Sequence, residues 1–268
     1  METLLTSGEA AVRAGVGPTA IKRWADLGLL PCVRTAGGHR RFRERELIAF
    51  LEHLALQEGA QGSAAAAFAD RLLEAESGHE IEAQLLLLRG EQGAWHRAAP
   101  AIGAALAELG ERWKRGELSV LDEHVASERL LRAIGRLSES IPVSPAAPLA
   151  LLAAVEGDDH LLGLSLVELC LREAGLRTRW AGRAMPAAEL AQSLRKGDVE
   201  LLAVSASAAS SDRRRLARFL QHIAADCAAQ RVQLLLGGAG AWPDRPDYGT
   251  RLRSFEELRA FLAGRDRR

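Results

Sequence analysis

Three clusters of residues carry chemistry. The run GDDHLLG, Gly157 to Gly163, sets a histidine between carboxylates and a glycine. Neutral imidazole is a common metal ligand, and a nearby carboxylate can hold its second nitrogen. Taken alone, Asp158 and His160 read more readily as a capped loop at a helix start than as a ligand pair. The second cluster is WKRGELSVLDEH, with Trp113 three residues before Gly116 and with Glu123 and His124 about one turn into the next helix. At a rise of about 1.5 Å per residue, an indole, a carboxylate and an imidazole reach one height beside the loop, although a tryptophan near a helix end also reads as core. The third, RTAGGHRRFR from Arg34 to Arg43, places four arginines and a histidine around a Gly-Gly turn, a pattern suited to phosphate.

The chain must supply elements that hold these clusters. At 268 residues it is too long for one ordinary core, and two or three domains are expected. Lys plus Arg and Asp plus Glu each total 35, so charge has meaning only locally. Between Thr19 and Arg43, Lys22, Arg23, Arg34, Arg40, Arg41 and Arg43 face only Asp26, which points one segment toward nucleic acid. Cys32, Cys170 and Cys227 offer no CxxC or disulfide framework and fit a reduced cytoplasm. The N-terminus carries Glu2 and no basic-then-apolar run, so no signal peptide is expected. The apolar run Pro148 to Val155 is too short to span a bilayer. A cytoplasmic protein with no membrane partner is the expectation.

Composition shifts at GAQGSAAAA (Gly59 to Ala67) and at IPVSPAAP (Ile141 to Pro148), whose prolines stop any helix. These seams divide the chain into residues 1–60, 66–141 and 148–268. The first segment opens with a capping box, Thr6 and Glu9. A turn at Gly15 to Pro18 leads to a second helix, whose Ile21, Trp24 and Leu27 form the expected buried stripe while Lys22 and Arg23 face outward. The Gly37-Gly38 turn then joins two wing strands. The middle segment reads as four antiparallel helices. The last alternates strand and helix, which implies a parallel sheet with ligands beyond the carboxyl ends of its strands. GDDHLLG, the Ser205-Ala206-Ser207 run and Gly237-Gly238 all fall at such ends.

Helix, turn, helix and basic wing resemble the MerR-type winged helix-turn-helix regulators, for which GGHRRF is a wing signature. That resemblance covers residues 4 to about 56 and implies a DNA-binding role for Lys22, Arg23, Arg34, His39, Arg40 and Arg41 on double-stranded operator DNA. It also implies a homo-oligomer, a dimer or tetramer. Asp158, His160 and Gly163, followed by Ser205 and then Gly237-Gly238, are similar to the D-x-H-x-x-G, S-x-L and G-G pattern of the cobalamin-binding Rossmann-like domains. The resemblance implies that His160 ligates cobalt from below and that Asp158 holds its other nitrogen. Gly163, Gly237 and Gly238 would leave room for the nucleotide tail, and Ser205 would bond it. Ser207 departs from the pattern, which prefers Leu, Val or Thr there.

Trp113, nine residues, then Glu123-His124 resembles the signature of the light-sensing cobalamin regulators of the CarH/LitR kind. There these residues cover the upper face of adenosylcobalamin. One departure is plain: Lys114 stands where such sensors place a histidine. The fold class implied is multidomain, with an all-α winged helix-turn-helix, a four-helix bundle and an α/β Rossmann-like (flavodoxin-like) domain. The function implied is a light-responsive transcriptional regulator and not an enzyme. Two alternatives within that class are a photoreceptor carrying a bilin such as biliverdin beside cobalamin, and a cobalamin-level sensor without light response. A corrinoid methyl carrier would share the last two segments but has no use for the basic wing.

Overall fold

The computed structural model describes residues 4–35 and 37–265, without side chains at 55–58, 60 and 61. Glu2, on which the expectation of no leader rests, lies outside them. The chain divides into two compact units, residues 1–64 and 65–268.

The first unit holds β1 (Leu4–Leu5), α1 (Ser7–Ala14), α2 (Pro18–Asp26), β2 (Val33–Arg34), β3 (Arg40–Arg43) and the start of α3 (Glu44–Glu74). The Thr6 hydroxyl accepts from the Glu9 N–H while the Glu9 carboxylate accepts from the Thr6 N–H, so the expected capping box is formed. Gly15, at φ 66°, ends α1 and lets the chain turn into α2, whose first residue is Pro18. Ala10, Ala11, Ile21, Leu30, Phe42 and Leu47 make its core. The expected stripe is corrected at one place. Leu27 is 61% exposed, because α2 stops at Asp26 and Gly28 turns the chain so that Leu30 is buried instead. The wing is a three-stranded sheet in the order β1-β3-β2, a small β component in a domain expected to be all-α.

In the second unit the end of α3 is followed by α4 (Gly78–Gln92), α5 (Trp95–Lys114) and α6 (Val120–Ser140). The intervening joints are so short that each helix must reverse on its predecessor. Phe68, Leu72, Ile81, Leu85, Ile102, Leu109, Leu130 and Ile134 fill the space between them. The stretch Gly59 to Ala67, read as a seam, lies within α3.

Past the prolines come β4 (Leu149–Val155), α7 (Leu162–Glu173), β5 (Arg177–Met185), α8 (Ala187–Leu194), β6 (Leu201–Ser205), α9 (Arg213–Ala229), β7 (Gln233–Gly237), β8 (Thr250–Arg251) and α10 (Phe255–Arg265). The sheet is parallel throughout, in the order β5-β4-β6-β7-β8. Every residue of β4 is buried, as a central parallel strand requires. Its side chains alternate between faces: Ala150 and Leu152 pack with α7, α10 and the bundle, whereas Leu149, Leu151, Ala153 and Val155 pack with α8 and α9. β5 runs to Met185 through register shifts, and β8 adds a short edge strand.

Candidate functional site

Register decides where the site can form. Ser205 pairs with Ala154 on one side and with Gly237 on the other, so β4, β6 and β7 end at one level. The three loops read from the sequence therefore leave the sheet side by side.

At the first of them Asp158 is buried, with one carboxylate oxygen 3.0 Å from the His160 N–H and 3.1 Å from His160 Nδ1. Its other oxygen accepts from the Ser207 N–H at 2.6 Å and from the Ser210 hydroxyl at 2.7 Å. Burial pushes this carboxyl up, but the bonds from Ser210, from the Ser207 and His160 N–H groups and from the Ser207 side chain outweigh it and hold the pKa down to about 2. Asp158 is thus ionised at neutral pH and favours a proton on His160 Nδ1. Nε2 then keeps its lone pair, and among the described residues it has no protein partner. The His160 side chain is 69% exposed.

His160 stands in a cleft of about 310 Å³. The cleft is also lined by Gly163, by Arg183 from β5 and by Glu123, His124 and Glu128 from α6. Ser119 caps α6, accepting from the Asp122 N–H at 3.1 Å, which fixes the turn that carries Glu123 and His124. Glu123 is held by the Ser127 hydroxyl at 2.7 Å and lies 2.6 Å from His124 Nδ1. Trp113 is not among the residues lining this cleft. It continues the buried stripe of Ile102 and Leu109 into the last turn of α5, where packing partners run out, and is 47% exposed. Lys114 is paired with Glu111 at 2.7 Å.

A second space of about 300 Å³ meets the cleft at Gly163 and runs past Ser205, Gly237 and Gly238 to a wall of Leu252, Phe255 and Leu258. A Cβ at Gly163 or Gly237 would meet nothing within 4 Å, so these residues leave open space. Gly238 is different. Its φ is 83°, and a Cβ there would lie 2.2 Å from the Ala206 carbonyl oxygen. The buried Ser205 hydroxyl faces this channel with no protein partner among the described residues.

These features test what the cleft can hold. Among the described residues no three His, Cys, Asp or Glu side chains are grouped to hold a metal ion. One imidazole donor suits a metal whose other ligands come with it, as in a corrin ring. An unpaired hydroxyl and two bare glycines along an adjoining channel suit a long appended tail. The residues fit a corrinoid.

In the first unit Lys22, Arg23, Arg34 and His39 are exposed. Arg40 shares a strand face with buried Phe42 and is thereby brought to Asp26, with which it pairs. Arg41, on the opposite face, is half-buried and bonds the Arg40 carbonyl at 3.3 Å. Sequence reasoning missed Ser210, the hydroxyl that holds Asp158, and Arg183. The serine-rich run after Ser205 was the only signal for the first.

Residues 4–54 match the model of a helix-turn-helix domain and residues 101–138 that of a B12 binding domain. The chain joins a helix-turn-helix domain to a B12-binding domain. It is 26% identical to the HTH-type transcriptional repressor CarH of Myxococcus xanthus, over 87% of this chain and 88% of that protein. It is 24% identical to dimethylamine corrinoid protein 3 of Methanosarcina acetivorans, over 54% of this chain and 70% of that protein. The structure of the Methanosarcina barkeri monomethylamine corrinoid protein covers 75% of this chain and 98% of its own, at a TM-score of 0.52 and 13% identity, and so shares the fold. Among the described residues no helix is long and apolar enough to cross a membrane.

Gly237→Val should leave the fold intact but fill the channel, and equilibrium titration should find cobalamin binding lost. Gly238→Ala should instead destabilise the protein by more than about 2 kcal/mol in thermal or denaturant unfolding. Asp158 supplies a pH test. Its folded pKa lies below the ordinary 3.8, so its contribution is present above that pH and is lost as pH falls toward about 2. The ligand-free protein should lose stability over this window, and Asp158→Asn should be less stable at neutral pH and flatter across the window.

Proposed function

We propose that this chain is a cobalamin-binding, light-responsive transcriptional regulator in which a change at the upper face of the cofactor alters oligomer state and DNA binding. The observation that carries this is the His160–Asp158 pair facing Glu123 and His124 across one cleft, in a chain that also has a helix-turn-helix with exposed Lys22, Arg23 and Arg34. Similarity to CarH over 87% of the chain supports the regulator reading over a corrinoid carrier, since the match to dimethylamine corrinoid protein 3 extends over 54% of it.

His160 would hold cobalt through Nε2, and Asp158 would keep the ring in the correct tautomer. Ser205, Gly163, Gly237 and Gly238 would accommodate the nucleotide tail. When bound, adenosylcobalamin supplies a cobalt–carbon bond that light breaks. Glu123 and His124 lie on the cap side of the cleft, and Trp113 stands at the nearby end of α5, free to pack on whatever occupies that side. Lys114 is a protonated amine paired with Glu111, a poor cobalt ligand, so His124 is the cap imidazole placed to respond. In the first unit Lys22 and Arg23 would meet base edges or phosphates of operator DNA, with Arg34, His39 and Arg41 on the backbone. One short helix reads too little sequence alone, which favours a homo-oligomer on a repeated site.

A second reading rests on the cap. Trp113, Val120, Leu121 and Val125 are all exposed at its loop end, an apolar surface that a bilin beside cobalamin would cover.

Protein purified in darkness should carry a His-ligated cobalamin spectrum that changes irreversibly on illumination, and His160→Ala should lose that spectrum. An unchanged spectrum in His160→Ala removes the ligand assignment, and an absent light response leaves a cobalamin-level sensor. A linear tetrapyrrole in the extracted pigment decides for the second reading. DNA affinity should fall steeply with salt. Arg34→Ala should lower the log–log salt slope by about 0.9 per lost phosphate contact, while Arg40→Ala, already neutralised by Asp26, should leave the slope nearly unchanged.

A further inference from the structure

Ser207 is the position at which the Rossmann-like segment departs from the cobalamin-binding pattern, and its side chain lies at the ligand rather than at the tail. The Ser207 hydroxyl oxygen is 3.2 Å from His160 Nδ1, almost the same distance as the Asp158 carboxylate oxygen at 3.1 Å. It also accepts from the Ala209 N–H at 3.2 Å, while the Ser207 N–H donates to the other Asp158 oxygen. Of the residues the pattern prefers here, leucine and valine would offer His160 no acceptor, and threonine would.

The direction of the bond follows from charge. An unprotonated Nδ1 would set its lone pair against the lone pairs of an ionised carboxylate, so Nδ1 carries the proton. The serine oxygen, already an acceptor for Ala209, then accepts from Nδ1 as well. One proton is divided between a charged acceptor and a neutral one. A full bond to a carboxylate draws the Nδ1 proton away and makes Nε2 a stronger donor, and a charge-assisted bond is roughly twice as strong as a neutral one. Sharing with a hydroxyl gives back part of that gain.

We propose that Ser207 is a positioning residue that divides the His160 Nδ1 proton with Asp158 and would thereby weaken the hold of His160 on cobalt, leaving it easier to exchange. This rests on the reading of His160 as the cobalt ligand, and it extends that reading to the strength of the bond. A sensor whose state must change at cobalt gains from a ligand that is ordered but not tightly held.

The test uses the full-length protein. In the ligand-free state, long-range proton–nitrogen spectra of histidine-labelled protein report the His160 tautomer. Wild type should show a protonated Nδ1, and Ser207→Ala should shift that nitrogen further toward the strongly hydrogen-bonded, imidazolate-like range. A wild-type Nε2–H tautomer, or identical nitrogen shifts in the Ala variant, overturns the proposal whether or not cobalamin binds. In the cobalamin-loaded protein, potassium cyanide displaces the histidine and the visible spectrum reports the midpoint. Ser207→Ala should raise that midpoint about three- to tenfold, the scale of one hydrogen bond, and Ser207→Thr, which keeps the hydroxyl, should stay at wild type. If Ser207 only braced the loop, its loss would lower the midpoint, and a lowered or unchanged midpoint overturns the proposal. A loaded spectrum that His160→Ala leaves intact would sink the cobalt-ligand reading separately, without touching the nitrogen shifts.

Discussion

A single buried carboxylate organises the loops above the sheet. Asp158 has no exposed side-chain surface, and burying a carboxylate without partners would cost several kcal/mol. It is tolerated because one oxygen faces two donors of His160 and the other faces the Ser207 N–H and the Ser210 hydroxyl. Those donors belong to two different loops, one after β4 and one after β6. The charge therefore ties both loops into one arrangement, and the orientation of the imidazole is a consequence. Removing the charge would release the loops together, not His160 alone.

That arrangement needs strands that end at the same height. The pairing of Ala154 with Ser205, and of Ser205 with Gly237, meets this need. It also brings the open channel up to the same rim, because Gly237 leaves space where Ser205 presents its hydroxyl. Gly238 works by a different rule. Its left-handed backbone and its closeness to the Ala206 carbonyl make it a turn residue, although the two glycines are adjacent and look alike in the sequence. One keeps the channel open and the other shapes its rim.

Much of this was legible because the signals are local. The capping residue Thr6 sits next to the helix it starts, and the alternation of strand and helix in the last segment implies its parallel sheet. The Asp-x-His spacing and the paired glycines mark strand ends. What was not legible depends on which way a chain turns after an element ends. Leu27 follows the helical spacing of Ile21 and Trp24, yet the helix stops one residue earlier and the leucine is left outside. Arg40 belongs to a basic run, but strand alternation puts it on the side of Phe42 and against Asp26. Ser210 lies outside the Asp-x-His spacing and is joined to it only by folding. Two-residue β8 carries too little pattern to stand out.

The way the cap is fastened bears on how the cleft can change. At one end of the bundle, Glu173 at the close of α7 accepts from Arg89 of α4 and from the Trp95 N–H at the start of α5. Near the same edge, Arg172 donates to the carbonyl of Ile141, where α6 leaves the bundle. α7 itself is packed between the sheet and α5 and α6, with Leu164, Leu166, Leu169 and Leu171 buried. At the opposite end Arg112 in the last turn of α5 pairs with Asp70 of α3, and Arg183 of β5 reaches Glu128 of α6 at 3.8 Å across the cleft. The turn from α5 to α6 also holds the pairs Lys114 with Glu111 and Arg115 with Glu117, and the Ser119 cap. It carries the exposed Trp113, Val120, Leu121 and Val125. Close-packed interiors resist deformation, whereas exposed apolar side chains at a loop can repack at little cost. The apolar side chains exposed at the α5–α6 turn are therefore the part of the bundle that can repack at least cost, and from that turn α6 carries Glu123 and His124 into the cleft.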